Sequence, residues 1–291
     1  YCMDDKRMLV GTVPLRKLIV APENQIVKDI MEDDEQLIFV NTMDDQEEVA
    51  AIAKKYDLLS IPVVDKEERL VGIITIDDIV DVIEDENTED FEKMALLLPS
   101  EASYLKTGIF TLYKNRIVWL LILMVSATFT GQIIEGFEDK LSMIAGLTAS
   151  IPMLMDTGGN CGNQVSTLVI RGLALGDINI KDFFKIIWKE IRVAVLCGLT
   201  LAGVNYARMW IIKLVTHNDI SSNTFIVVCL AMICAVIVAK VIGCALPILA
   251  KLLHLDPALM AGPMITTIVD ALTLLIYFGF ATLFINGGLL V

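Results

Sequence analysis

Histidine is nearly absent from this chain of 291 residues; His217 and His254 are the only two. Chemistry that depends on imidazole, as proton carrier or metal ligand, is therefore not expected. The six cysteines form no CxxC pair and no Cys/His cluster, and Cys161, Cys197, Cys229, Cys234 and Cys244 all fall in apolar runs. They read as small buried hydrophobes, which argues against a disulfide framework and against a zinc site. No HExxH, no nucleophile motif and no catalytic carboxylate pair with a base occurs, so an enzyme is not expected. An N-terminal signal pattern is missing as well. The opening "YCMDDKRMLVG" reads like the middle of a strand, so a natural start further upstream is expected.

Positive charge is scarce at the front. Residues 1–105 hold 26 Asp and Glu against 10 Lys and Arg, whereas residues 106–291 hold 10 against 13 and nearly all the long apolar runs. An acidic soluble domain preceding a membrane domain follows from that asymmetry, and nucleic acid is not an expected partner.

A bilayer core of about 30 Å requires about 20 apolar residues per helix. Five segments meet that length: 116–135, 141–170, 186–215, 223–250 and 258–285. Lipid forces them to be helices, because every backbone polar group must be satisfied internally. Lys106, Lys114 and Arg116 precede the first segment, Arg171, Lys181, Lys185, Lys189 and Arg192 surround the loop after the second, and Lys251 follows the fourth. The other side has Lys140, Lys213 and little else. The positive-inside rule then puts the acidic domain in the cytoplasm and the C-terminus outside, in a multi-pass membrane protein.

What the membrane half does contain is polar chemistry at depth. "IPMLMDTGGNCGNQVSTLVIRG" carries Asp156, Asn160, Asn163 and Gln164 among the glycines. Pro152, Pro247 and Pro263 each remove a backbone donor, so interrupted helices with carbonyls turned toward water or an ion are expected. Gly158, Gly159 and Gly162 allow either unwinding or tight helix packing. In the last segment Asp270 lies well inside the helix, with Thr266 and Thr267 on its face, and Asp256 stands at the cytoplasmic mouth. Intramembrane ionisable groups are functional candidates by default. The competing reading is a charge pair in which Arg208 or Lys240 neutralises Asp270. Carboxylates, carboxamides, threonines and freed carbonyls are hard oxygen ligands that suit Mg²⁺ or Ca²⁺. A cation path is the reading they support, and an anion path would want cations at its midpoint.

In the soluble half, "RMLVGTVPLRKLI" (7–19) resembles "ERLVGIITIDDIV" (68–80): strand, Gly, strand, helix start. Between them Asp44 or Asp45 can cap the helix "QEEVAAIAKKY", and "IPVVD" is an apolar strand. This pattern resembles a CBS domain pair over 1–80, its second copy complete and its first lacking an opening helix and strand. Thr75 and Asp78 match the element with which many CBS domains hold a nucleotide ribose, whereas the first copy has Pro14 and Lys17 there. A packing role for Thr75 and Asp78 is the alternative. Residues 77–101 are helical by period and carry ten carboxylates. Such density repels, and divalent cations could relieve it.

Both halves together resemble the MgtE family of bacterial magnesium channels. The long motifs "IPMLMDTGGNCGNQVSTLVIRGLALGDI" and "LDPALMAGPMITTIVDALTLLIYFG" carry the likeness, with "DDQEEVAAIAKKYDLLSIPVVD" and "DVIEDENTEDFEKMA" in support. The family's N-terminal superhelical domain is not matched. The resemblance implies an α/β CBS pair (1–80), an acidic connecting "plug" helix (81–105) and a polytopic α-helical membrane domain of five transmembrane helices (106–291). It further implies a homodimer in the bacterial plasma membrane, with a pore on the dimer axis lined by the second and fifth spans. The family's pore residues match Asp270, Thr266 through its carbonyl, Asp256 and Asn160. Its regulatory Mg²⁺ sites match Asp45, Glu47, Lys54 through its carbonyl, Asp57, Asp78, Asp81, Glu86, Glu89 and Asp90. Mg²⁺ as cargo and regulator is thus expected, with ATP as a further candidate modulator. An ion-coupled divalent transporter and a membrane-anchored nucleotide sensor are the rival readings.

Overall fold

The computed structural model describes residues 1–31, 37–99, 104–138, 146–216 and 221–287. The start of the segment expected at 141–170, Lys140, His217 and residues 100–103 lie outside the described residues. The chain divides into two units, Tyr1–Glu89 and Asp90–Val291.

The first unit is a small α/β body. β1 (Cys2–Met3) and β2 (Leu9–Gly11) form an antiparallel pair, followed by the short helices α1 (Leu15–Val20) and α2 (Val27–Ile30). β3 (Val40–Asn41) runs parallel to β4 (Ser60–Val64), and α3 (Gln46–Lys55) makes the crossover that parallel pairing requires. β5 (Leu70–Thr75) returns antiparallel to β4, pairing Ser60 with Thr75 and Ile61 with Ile74. The core is modest: Val40 and Ile61 pack against Val49, Ala50 and Ala53 of α3 and against Ile79. Asp45 is the residue that caps α3, accepting the Glu47 N–H at 2.9 Å, while Asp44 accepts from Asn41 N–H.

Two expectations are corrected. The stretch 7–19 contains one strand rather than two. Pro14, at the N-cap of α1, has no N–H to extend a ladder, so the chain turns into helix where β5 runs on to Thr75. The helix expected over 77–101 is α4, Ile76–Met94. It stops because Leu96 adopts φ +53°, and the N–H of Leu97 reaches back 2.8 Å to the Glu92 carbonyl. Burial of Leu96 (3 % exposed) holds that left-handed residue in place.

Among the described residues the second unit contains five long helices: α5 (Ile109–Glu135), α6 (Leu147–Ala174), α7 (Phe183–Thr216), α8 (Ser222–Leu252) and α9 (Gly262–Asn286). By length and composition, three described stretches could cross a membrane: 109–135, 222–252 and 257–286. α6, of 28 residues, and α7, of 34, are long enough but lower in mean hydropathy over any stretch of membrane length. α8 is the centre of the bundle, packing against α6, α7 and α9, with Val227, Val228, Ala231 and Val236 fully buried. α5 has no buried residue and meets the bundle near its end, where Phe137 stacks on Phe278 with centroids 4.7 Å apart.

The helices are not interrupted as expected. α6 continues through Pro152 and α8 through Pro247, and Pro263 falls in the first turn of α9, where no intrahelical N–H is needed. The glycines serve close approach instead. A Cβ on Gly162 would lie 3.3 Å from the Ala239 carbonyl, and one on Gly243 would strike the Gly162 backbone. This is the small-residue seam by which membrane helices pack without a hydrophobic driving force.

Candidate functional site

Polar groups collect where α6 meets α9. Gly158 and Gly159 let the two helices touch: a Cβ on Gly158 would sit 2.6 Å from Thr273 Oγ1, and one on Gly159 would sit 2.8 Å from Thr266 Cγ2 and 3.4 Å from Asp270 Oδ1. Asp270 lies eight residues into α9, about 12 Å from its start. Its carboxylate is partly buried, and Oδ1 is fully buried with no hydrogen-bond partner among the described residues. Leaving a charged oxygen so placed is costly unless a cation or water reaches it.

The cations suspected of neutralising Asp270 are engaged elsewhere. Lys240, 5 % exposed in α8, pairs with Glu190 of α7 at 3.6 Å. Arg208 donates to Asn205 Oδ1 at 2.9 Å and contacts Met153 Sδ at 3.1 Å.

Asn160 is exposed, and so are Asp156 one turn before it and Gln164 one turn after. At helical spacing these three make a polar stripe running down one face of α6, beside the residue that abuts Asp270. A face of that kind does not suit lipid and calls for water or protein. Asn163 is used differently: its Oδ1 accepts the N–H of Gly262 at 2.9 Å, and Ser166 donates to the Met260 carbonyl at 2.7 Å. These two bonds fix the turn that begins α9, in which Gly262 takes φ +52°. The sequence marked Asn163 as polar at depth but gave no sign of this structural use.

Thr266 and Thr267 each return their hydroxyl to the carbonyl four residues back, Gly262 and Pro263, at 3.0 and 2.8 Å. Their side chains are therefore satisfied inside the helix. Asp256 is not at the depth of Asp270. It caps the short helix Pro257–Met260 through the Ala258 N–H at 2.8 Å, and its other oxygen is 2.7 Å from the Lys93 ammonium.

The candidate regulatory residues spread over α3 and α4. Asp45 and Glu47 stand at the start of α3, and the neighbouring Gln46 donates 2.7 Å to Glu86 of α4. Lys54 and Asp57 line a cleft of about 360 Å³ with Ala50, Leu58, Ile79 and Ile83. There the Leu58 N–H bonds to the Ala53 carbonyl, so the Lys54 carbonyl does not receive it. Asp81 is exposed, and Glu89 and Asp90 follow on α4. Among the described residues no three His, Cys, Asp or Glu side chains converge as a metal site. Thr75 and Asp78 are occupied with each other: the hydroxyl of Thr75 donates at 2.8 Å and its N–H at 3.3 Å, a cap on the first turn of α4.

A helical membrane protein preceded by an acidic α/β unit is the class these features define. Residues 151–280 match a family described as divalent cation transporter, MgtE, and residues 27–85 match the CBS domain. The chain is 38 % identical over 287 residues to magnesium transporter MgtE of Thermus thermophilus, covering 99 % of this chain and 62 % of that protein. It is 34 % identical to magnesium transporter MgtE of Bacillus subtilis, covering 99 % of this chain and 61 % of that protein. The chain thus spans about three-fifths of the length of these relatives. Its helical unit matches the MgtE family, and nearly its whole length is similar to these two members of it. A solved cytosolic domain of the Mg²⁺ channel MgtE in complex with ATP is 48 % identical over 28 % of this chain and 32 % of that one, at a TM-score of 0.27.

Proposed function

We propose that the chain is a Mg²⁺-selective channel for magnesium entry, closed by Mg²⁺ that binds the acidic CBS and α4 region from the cytosol. The observation that carries the ion path is the buried, unpartnered Asp270 oxygen beside the Asp156–Asn160–Gln164 stripe, with Lys240 and Arg208 both engaged elsewhere. Mg²⁺ loses water reluctantly, so a site of one or two carboxylates plus acceptors for bound water suits a largely hydrated ion. Asp270 attracts the ion, and the Thr266 carbonyl and Asn160 amide accept hydrogen bonds from its waters. A second copy of the chain completes the path: the exposed stripe of α6 faces the dimer axis, and the five long helices of each copy span the bilayer with the acidic unit inside and the C-terminus outside. Inward flow needs no ATP, because the membrane potential supplies about 2.3 kcal/mol per charge per 100 mV.

At low cytosolic Mg²⁺ the crowded carboxylates of α4 repel across the dimer and the helices stand apart. At high Mg²⁺ the ion bridges Asp45, Glu47, the Lys54 carbonyl, Asp57, Asp78, Asp81, Glu86, Glu89 and Asp90 between copies, favouring the compact closed state. A nucleotide modulator would have to open the Thr75–Asp78 cap to use those groups. The continuity of α6 and α8 takes away the discontinuous helices that favoured an ion-coupled transporter.

The test is Mg²⁺ uptake into proteoliposomes under an inside-negative potential. Uptake that tracks the potential and is lost in Asp270→Ala is expected; wild-type flux in that variant removes Asp270 from the path.

A further inference from the structure

The last turn of α4 is fastened to the start of α9. Lys93 places its ammonium 2.7 Å from Asp256 Oδ2, with the two side chains 24 % and 31 % exposed. Met94 packs into a small cluster with Ile170 of α6 and with Ala258 and Ala261. A Cβ on Gly262 would strike the Met94 carbonyl, so backbone meets backbone at that point. Asp256 Oδ1 is meanwhile held by the Ala258 N–H, and the turn is tied to α6 through Asn163 and Ser166. The turn 256–262 is therefore gripped from two sides, by α6 and by the end of the acidic helix.

We propose that Lys93 is a tethered counter-ion of Asp256: its ammonium occupies the position a divalent cation would take on Oδ2, so that this latch and a cation at Asp256 exclude each other. Three observations combine. The contact distance is that of a direct charge-assisted hydrogen bond, which leaves no room for a metal between the groups. Asp256 Oδ1 is already committed to the backbone, so a cation has Oδ2 to compete for. Both side chains remain partly exposed, so an ion from solution can reach the pair. Occupancy of Asp256 by an ion would displace Lys93 from that carboxylate and loosen the end of α4 from the turn that sets α9. Lys93 is accordingly a positioning residue, acting on Asp270 through Asp256 and the first two turns of α9. The inference rests on the reading that cations travel beside α6 and α9.

Lysine acylation footprinting of the full chain in nanodiscs, read residue by residue by mass spectrometry with and without Mg²⁺, tests it. Mg²⁺ should raise the labelling rate of Lys93 by up to about fivefold, the upper end set by a partly exposed ion pair, and leave Lys213 unchanged. In Asp256→Asn the labelling of Lys93 should be faster than in wild type from the outset and should not rise with Mg²⁺. A Mg²⁺ effect on Lys93 that persists in Asp256→Asn, or no effect in wild type, overturns the latch. Flux provides a second arm: Lys93→Arg should keep the wild-type dependence of flux on Mg²⁺ concentration, and Lys93→Gln should shift it to lower concentration. Absence of flux in wild type would count against the proposed function, while the footprint would still decide the latch.

Discussion

Carboxylates face opposite problems in the two units. Those of the acidic unit stand in solvent and are used for local order: Asp45 caps α3, Asp78 caps α4, and Asp65 closes the β4–β5 turn. Two of the helical unit, Glu190 and Asp270, are withdrawn from water and need a partner. Within that unit Glu190 and Asp270 diverge. Glu190 has Lys240, whereas Asp270 Oδ1 has nothing among the described residues. A buried charge that has been neutralised holds helices together, and one left open is available to a ligand. The difference separates structure from function more sharply than polarity alone, since both residues are carboxylates within helices of membrane length.

The strongest way to break the comparison is to remove the open charge. Asp270→Asn should abolish or sharply reduce Mg²⁺ uptake while leaving the melting temperature unchanged or raised, because it relieves an uncompensated buried carboxylate. A large loss of thermal stability would make Asp270 structural. Removing one member of the closed pair should do the reverse. Lys240→Met strands Glu190 and should cost about 3–5 kcal/mol, with much of it recovered when Glu190→Gln is added. Thermal unfolding in detergent of both variants tests the coupling, and simple additivity would argue against the pair.

Smaller effects sharpen the contrast between seam and cap. Gly243→Ala drives a methyl into the Gly162 backbone, which cannot move aside as a side chain can, and should cost about 1–3 kcal/mol in the same assay. Asp45→Ala removes the α3 cap and should cost about 1 kcal/mol; amide exchange at the start of α3 would report it. The least effect is expected at Asp65. The backbone N–H of Arg69, followed by its guanidinium, holds that carboxyl below the usual range. Its contribution is present above the ordinary carboxylate pKa and is lost as pH falls through the lowered folded value. Amides of the β4–β5 turn should therefore lose protection in acid in wild type, and show less pH dependence in Asp65→Asn.

Much of this was open to inspection in the residues. Apolar runs of membrane length produced long helices because lipid-length hydrophobicity leaves the backbone no other satisfied state. "DDQEEVAAIAKKY" became α3, capped by one of the two aspartates named for it. Asp270 stood out as a carboxylate far inside an apolar segment. Other features were misread for identifiable reasons. Proline and glycine signal a break only when nothing packs against them. In α6 and α8 the small residues are spent on contact with neighbouring helices, and the helices run through.

Residue order was enough to say which segments could be helix, which lengths could cross a bilayer, and which side chains were anomalous there. These depend on local spacing and solubility, properties each segment carries alone. Which anomaly is satisfied depended on how the helices pack. Lys240 meets Glu190, Lys93 meets Asp256, Asn163 meets the backbone of Gly262, and Asp270 Oδ1 is left without a partner. Pairing is a property of residues far apart in the chain, and no period or motif records which side chains the packing of four helices will bring within 4 Å.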